Sequence, residues 1–165
     1  MIDKVIPIEY QDLHDPDYTR MNGEETANFQ NQALLRLVER VSRFSPFYQR
    51  KFQECGVLSK DLSGVDDFKK LPFTYKEELR EVYPLGLQAV PDREVVRIHS
   101  SSGTTGKAVI IPYTKKDVYD WSVMFARCYC LAGITREDRV QITPGYGLWT
   151  AGIGFQAGVE RLGAM

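Results

Sequence analysis

The sequence predicts an α/β chain in which a mostly helical region over residues 1–92 leads into a β-hairpin, a helix, a strand and a second helix over residues 93–165. Three observations predict it. Through the first ninety residues, apolar side chains recur at helical spacing behind polar capping pairs. The runs VVRIH and VIIPY, rich in β-branched residues, then bracket a loop of small polar residues, SSSGTTGKA. Finally, RVQIT reads as a strand that turns through PGYGLW into a helix of small residues.

Residues 1–20 are polar and irregular, with Pro7 and Pro16, and read as an extended arm. Asn22 with Glu25 forms a capping box, and Phe29, Ala33, Leu37, Val41 and Phe44 follow at the spacing of one helix face. Ser45-Pro46 restarts the chain as a second helix through Cys55, which Gly56 ends. Residues 57–71 read as loop with a short helical turn at VDDFKKL. After Pro72, Thr74 and Glu77 are spaced as a capping box for YKEELREV, and Pro84 and Gly86 stop that helix.

In the second half, VVRIH and VIIPY pair as antiparallel strands across the serine-rich loop. Thr114 and Asp117 open a helix whose apolar face runs through Val118, Trp121, Phe125, Cys128 or Tyr129, and Ala132, until Gly133 ends it. The glycines and alanines of TAGIGFQAGVERLG permit close approach to a neighbour. A strand, turn and helix that stop at RLGAM are expected to lack the next parallel strand of a right-handed crossover, so the chain reads as truncated.

Charge and composition exclude more than they assign. Net charge is −1 with both signs interspersed, so no field points to nucleic acid or to an anionic membrane. No apolar run reaches a membrane span and the N-terminus is no secretory signal, which predicts a cytoplasmic protein. Cys55, Cys128 and Cys130 are sparse and odd in number, as reduced thiols are.

The loop from Ser100 to Lys107 carries hydroxyls, uncovered amides and one ammonium, the composition of a phosphate grip; a plain flexible surface loop has the same composition. It is not a Walker loop, since only two residues separate Gly103 from Gly106 and Ala108 follows Lys107. The glycines at 145, 147, 152 and 154 miss the dinucleotide fingerprint because Thr150 stands where a glycine is required. Tyr146 and Trp149 either wall a ligand pocket at a strand's carboxyl end or belong to the core. No metal site is expected: His14 and His99 lie in different segments, and Cys128 and Cys130 point about 200° apart on a helix. No GxSxG supports a serine hydrolase, and His99 reads as an ordinary strand residue.

SSGTTGK after VVRIH, the YT and tryptophan-bearing helix that follow, and GYGLWTAGIGFQAGVERLGA together resemble the phenylacetate-CoA ligases of the adenylate-forming superfamily. Upstream, SPFYQRKF and LPFTYKEELREVYPLGL resemble the same family's N-terminal helical region, so the likeness runs from about residue 30 to residue 165. The resemblance implies that residues 93–165 are the first part of a large adenylate-forming ligase domain. It implies ATP, Mg²⁺ and coenzyme A as a substrate, with small molecules as partners in aromatic catabolism. By the same resemblance Ser101, Ser102, Gly103, Thr104, Thr105, Gly106 and Lys107 grip the ATP phosphates, and Lys76 reaches them from the helical region unless it is only a solvated helix-start lysine. Tyr146, Gly147 and Ala157 would border the aryl group.

Ala108 departs from the family, which commonly has proline there, a change expected to alter loop stiffness more than chemistry. Ligases of this family run to well over twice this length, and the resemblance places their catalytic acid, ribose-binding acid and catalytic lysine beyond the part seen here. The isolated chain is therefore expected to be inactive. Two alternatives stand beside this reading: a non-catalytic nucleotide- or partner-binding module, and a related coenzyme-modifying ligase acting on another acid. Apolar surface left bare by truncation would favour aggregation or a homodimer.

Overall fold

A computed structural model describes residues 21–101, 103 and 106–165. The arm expected over residues 1–20 lies outside them. Helix α1 spans Gly23–Phe44. Its first turn is closed as the sequence predicts: Asn22 Oδ1 accepts from the Glu24 and Glu25 amides at 2.9 and 3.0 Å, and Glu25 Oε2 accepts from the Asn22 amide at 2.8 Å. The buried face differs from the one expected. Val38, with Leu34, Leu35 and Val41, packs on Phe52 and Leu62, whereas Phe29, Leu37 and Phe44 are exposed. Helix α2, Pro46–Glu54, supplies Phe52, and a turn at Ser59–Asp61 leads into Leu62, so the neighbour's position rather than the broad apolar stripe chose the face.

Helix α3 spans Lys76–Glu81, one residue later than the Thr74–Glu77 pairing predicts. Glu78 Oε2 accepts from the Tyr75 amide at 2.7 Å, while the Thr74 hydroxyl pairs with the Tyr48 hydroxyl at 3.1 Å. The tertiary bond outcompetes the local cap. Lys51 from α2 forms an ion pair with Glu78, and that ammonium, with the Tyr75 amide, lowers the Glu78 pKa. Beyond α3, a cavity of about 20 Å³ lined by Leu79, Val82, Leu85, Val109, Ile110 and Pro112 marks where this segment packs on the hairpin.

Strands β1, Val95–Ser100, and β2, Ile110–Thr114, pair antiparallel with Ser100 opposite Ile110. Helix α4, Lys115–Leu131, begins at Thr114, whose amide and hydroxyl donate to Asp117 Oδ2 at 2.8 and 2.7 Å. Helix α5, Thr150–Leu162, ends at Gly163 with φ +83°, in the left-handed region. The stripe Trp121, Phe125 and Tyr129 faces α5, and Val123, Ala126 and Cys130 are buried on the adjoining face of α4.

The strand predicted at RVQIT does not form. A strand needs a neighbour, and here the Val140 amide donates to Met165 O at 2.8 Å while the Met165 amide donates to Asp138 O at 3.1 Å. This exchange about Arg139 follows the pattern of a parallel bridge.

Two helices meet closely where side chains are missing. A Cβ at Gly158 would sit 2.4 Å from Phe125 Cβ and 3.1 Å from its carbonyl carbon; one at Gly154 would sit 3.1 Å from the Trp121 ring. Backbone atoms of α4 cannot yield as a flexible side chain can. Gly158→Ala is therefore expected to destabilise the chain by about 1–3 kcal/mol through overpacking, despite alanine's better helix propensity. Urea unfolding checks this, and a neutral or stabilising substitution would contradict the packing.

Candidate functional site

The serine-rich loop is closed at its neck by Ser101. Its amide donates to Val109 O at 3.0 Å, and its Oγ accepts from the Val109 amide at 2.9 Å. Inside the loop the Gly106 amide donates to Gly103 O at 3.1 Å. Gly103 and Gly106 have φ of +68° and +132°, a region that side chains with a Cβ rarely enter, so glycine is required at both corners. Ser102, Thr104 and Thr105 lie outside the described residues. Lys107 is exposed, its Nζ 5.8 Å from the centre of the Tyr83 ring, within cation–π range.

The same neck touches the turn before α5. The Ser100 amide donates to Leu148 O at 2.7 Å, and Ser100 and Trp149 form a parallel bridge. The loop and the GYGLW turn, some forty residues apart, thus share a backbone hydrogen bond. Beneath them lies His99, 1% exposed, with ring centroids of Tyr113 and Trp121 each 5.1 Å away. Neither imidazole nitrogen reaches hydrogen-bond geometry, although the Leu148–Trp149 backbone lies against the ring. Burial pushes the His99 pKa below 6.5, and the Arg97 charge acts in the same direction. His99 is thus a packed, neutral side chain that fills the floor of the site, more than the plain strand residue the sequence suggested.

Helix α3 brings further cations. Lys76 is its exposed first residue. Arg80, one turn on, is half-buried with its Nε shielded from water. Its guanidinium lies against the loop: a Cβ at Gly106 would be 3.6 Å from Arg80 Nη1 and 3.7 Å from Cζ. Sequence reasoning singled out Lys76 and Lys107 and missed Arg80 and Tyr83. The available signal was the i, i+4 spacing of Lys76 and Arg80 on one helical face.

On the other side of the neck, Tyr146 is 59% and Trp149 50% exposed, so neither is a core aromatic. Gly147 is exposed with no atom within 4 Å of a Cβ placed there, and Ala157 is half-buried on α5. Among the described residues no three His, Cys, Asp or Glu side chains converge, and Cys128 is exposed where Cys130 is buried, opposite faces as their spacing requires. No helix of the described residues is long and apolar enough to cross a membrane.

The architecture matches solved acyl-CoA ligases. A 2-hydroxyisobutyryl-CoA ligase in an open conformation, in complex with 2-HIB-AMP and CoA, superposes with a TM-score of 0.79 at 27% identity, covering 87% of this chain and 34% of that one. The same ligase in the thioesterification state gives 0.80 at 29% identity, covering 87% and 31%. The fold is therefore that of the matching part of adenylate-forming acyl-CoA ligases. In sequence, the phenylacetate-coenzyme A ligase of Pseudomonas putida is 42% identical over 156 residues, 91% of this chain and 36% of that protein. That of Escherichia coli K12 is 40% identical over 152 residues, 88% of this chain and 35% of that protein. No family model matches the chain. Over most of its length the chain is similar to phenylacetate-coenzyme A ligases, and it spans about a third of the length of the curated relatives it matches.

The neutral His99 couples folding to pH. Its pKa is depressed on folding, so the unfolded chain binds the extra proton, and stability falls as pH drops below 6.5 until the folded-state pKa is passed. The slope expected from this one group is at most about 1.4 kcal/mol per pH unit. Chemical unfolding between about pH 7.5 and pH 5 should show that loss in the natural chain and a flattened profile in His99→Leu. Equal slopes in both would contradict a buried neutral imidazole.

Proposed function

We propose that this chain is the phosphate-loop part of an AMP-forming ligase that joins phenylacetate, or a related aryl acid, to coenzyme A. The observation that carries the proposal is the Ser100–Leu148 hydrogen bond, which sets a glycine and hydroxyl loop beside the turn bearing Tyr146. An acyl-adenylate has a phosphate at one end of its reactive junction and an acid at the other. Two facing segments of these compositions suit that pair.

In the first half-reaction a carboxylate oxygen forms a bond to the α-phosphorus of ATP, and the bond to the β-bridging oxygen breaks, releasing pyrophosphate. Two anions must approach each other, so the protein's task is to neutralise charge and align the reactants. Ser101, Ser102, Gly103, Thr104, Thr105 and Gly106 offer amides and hydroxyls to phosphate oxygens, and Lys107 and Lys76 offer ammonium groups. The Ser101 Oγ also accepts from the Val109 amide, so this serine holds the loop's neck while its hydroxyl hydrogen stays available as a donor. In the second half-reaction the coenzyme A sulfur attacks the acyl carbon, AMP leaves, and the thiol proton passes to solvent.

Mg²⁺ takes phosphate oxygens and water and would neutralise the triphosphate. Among the described residues no three His, Cys, Asp or Glu side chains converge to hold it. Tyr146, with Gly147 and Ala157, borders the acid.

A second reading, a ligase of the same class for a smaller hydroxy acid, is favoured by the 2-hydroxyisobutyryl-CoA ligase likeness; the higher identity to phenylacetate-CoA ligases favours the aryl acid. A chimera in which this chain replaces the matching residues of the Pseudomonas putida relative tests both. AMP formation dependent on phenylacetate and coenzyme A is expected, with 2-hydroxyisobutyrate a poor substrate and the isolated chain inactive. In the chimera, Lys107→Ala should lower kcat/KM for ATP by about 10- to 100-fold with no loss of fold. Unchanged turnover at subsaturating ATP would remove Lys107 from the phosphate grip, and turnover with neither acid would remove the proposal.

A further inference from the structure

We infer that Arg80, on helix α3, is a polyphosphate-binding residue, a second cation beside Lys107 set against the glycine loop. The inference rests on the phosphate-loop reading above and adds a residue from the helical region to it.

Two contacts aim α3 at the loop. Lys51 pairs with Glu78 and fixes the helix to α2. Leu79 and Val82 line the small cavity against Val109 and Ile110 at the start of β2. With those two faces occupied, Arg80 falls on the remaining face and Tyr83 follows just past the helix end, and both meet the loop: Arg80 at Gly106 and Tyr83 at Lys107. Gly106, whose φ of +132° turns the loop, faces the guanidinium: a Cβ there would stand 3.6 Å from Arg80 Nη1, an ordinary van der Waals contact.

The chemistry fits a polyphosphate better than an isolated carboxylate. A guanidinium is planar and permanently charged, and presents paired N–H donors that match two phosphate oxygens at once. Lys107 supplies a mobile point charge from the loop itself, held near by the Tyr83 ring. Lys76, four residues before Arg80, continues the positive face towards solvent. Neighbouring charges on a chain of phosphates call for cations spread along a line, and this face provides them.

The test is titration of inorganic tripolyphosphate into the 165-residue chain, followed by ¹⁵N amide shifts and by the Arg80 Nε–H resonance. Shifts at Gly103, Gly106 and Lys107 together with movement of the Arg80 Nε–H signal are expected. Arg80→Gln should weaken binding on the order of tenfold or more, Arg80→Lys should recover part of it, and Arg93→Gln, at the far end of β1, should leave it unchanged. A loop that shifts while the Arg80 signal stays still, with affinity kept in a folded Arg80→Gln, overturns the inference and leaves the phosphate-loop reading standing. If Arg80→Gln does not fold, the Nε–H signal and Arg80→Lys decide. No loop shift in the natural chain at millimolar tripolyphosphate removes the phosphate-loop reading and the inference with it.

Discussion

The approach of Gly158 to Phe125 is the constraint on which the site depends. With no side chain at Gly154 or Gly158, α5 comes close to the stack that Trp121 and Phe125 form one turn apart on α4, with ring centres 6.0 Å apart, and Phe155 of α5 meets Phe125 edge-on at 5.1 Å. Trp121 in turn covers His99, and His99 sits one residue before the bond that joins Ser100 to Leu148. A helix contact deep in the α/β part thereby fixes where the serine-rich loop begins. Packed aromatic layers transmit displacement because interiors have few voids to absorb it.

The helical region enters the site through α3. This helix is only a turn and a half long, too short to be stable alone, and depends on contacts at both sides. Lys51 and Glu78 supply one, with Lys51 also 5.3 Å from the Phe47 ring centre and 5.7 Å from that of Tyr75. The apolar contact with β2 supplies the other. An ion pair of this kind contributes position more than net stability, because shielding both charges offsets much of their attraction. Position is what a charge-neutralising site requires, since a cation displaced from its phosphate loses most of its effect.

Local signals were legible in the sequence, and signals that depend on a neighbour were not. The capping pairs Asn22–Glu25 and Thr114–Asp117 are made within four residues and form as read. The hairpin was marked by β-branched runs, and its glycines occupy positive φ as a tight loop demands. At Thr74 the same local logic failed because Tyr48, from another helix, took the hydroxyl. Phe29, Leu37 and Phe44 carry the right spacing for a core face, yet Phe52 and Leu62 sit over Val38 instead. RVQIT has strand composition, but among the described residues no strand lies beside it. Arg80 escaped notice because nothing in a helix sequence says which face a distant loop will approach. The family likeness named the loop residues, whereas the link between that loop and the GYGLW turn became visible only through the Ser100 bond.

The central claim is that this neck brings phosphate and acid together. Its most direct test is a crystal structure of the chain bound to a phenylacetyl-adenylate analogue with an inert sulfamoyl link in place of the phosphate. The sulfamoyl group is expected against Gly103, Gly106 and Lys107, and the aryl ring beside Tyr146 across the Ser100–Leu148 bond. A ligand seated away from the loop, or one whose aryl group leaves the 146–149 turn untouched, would contradict it.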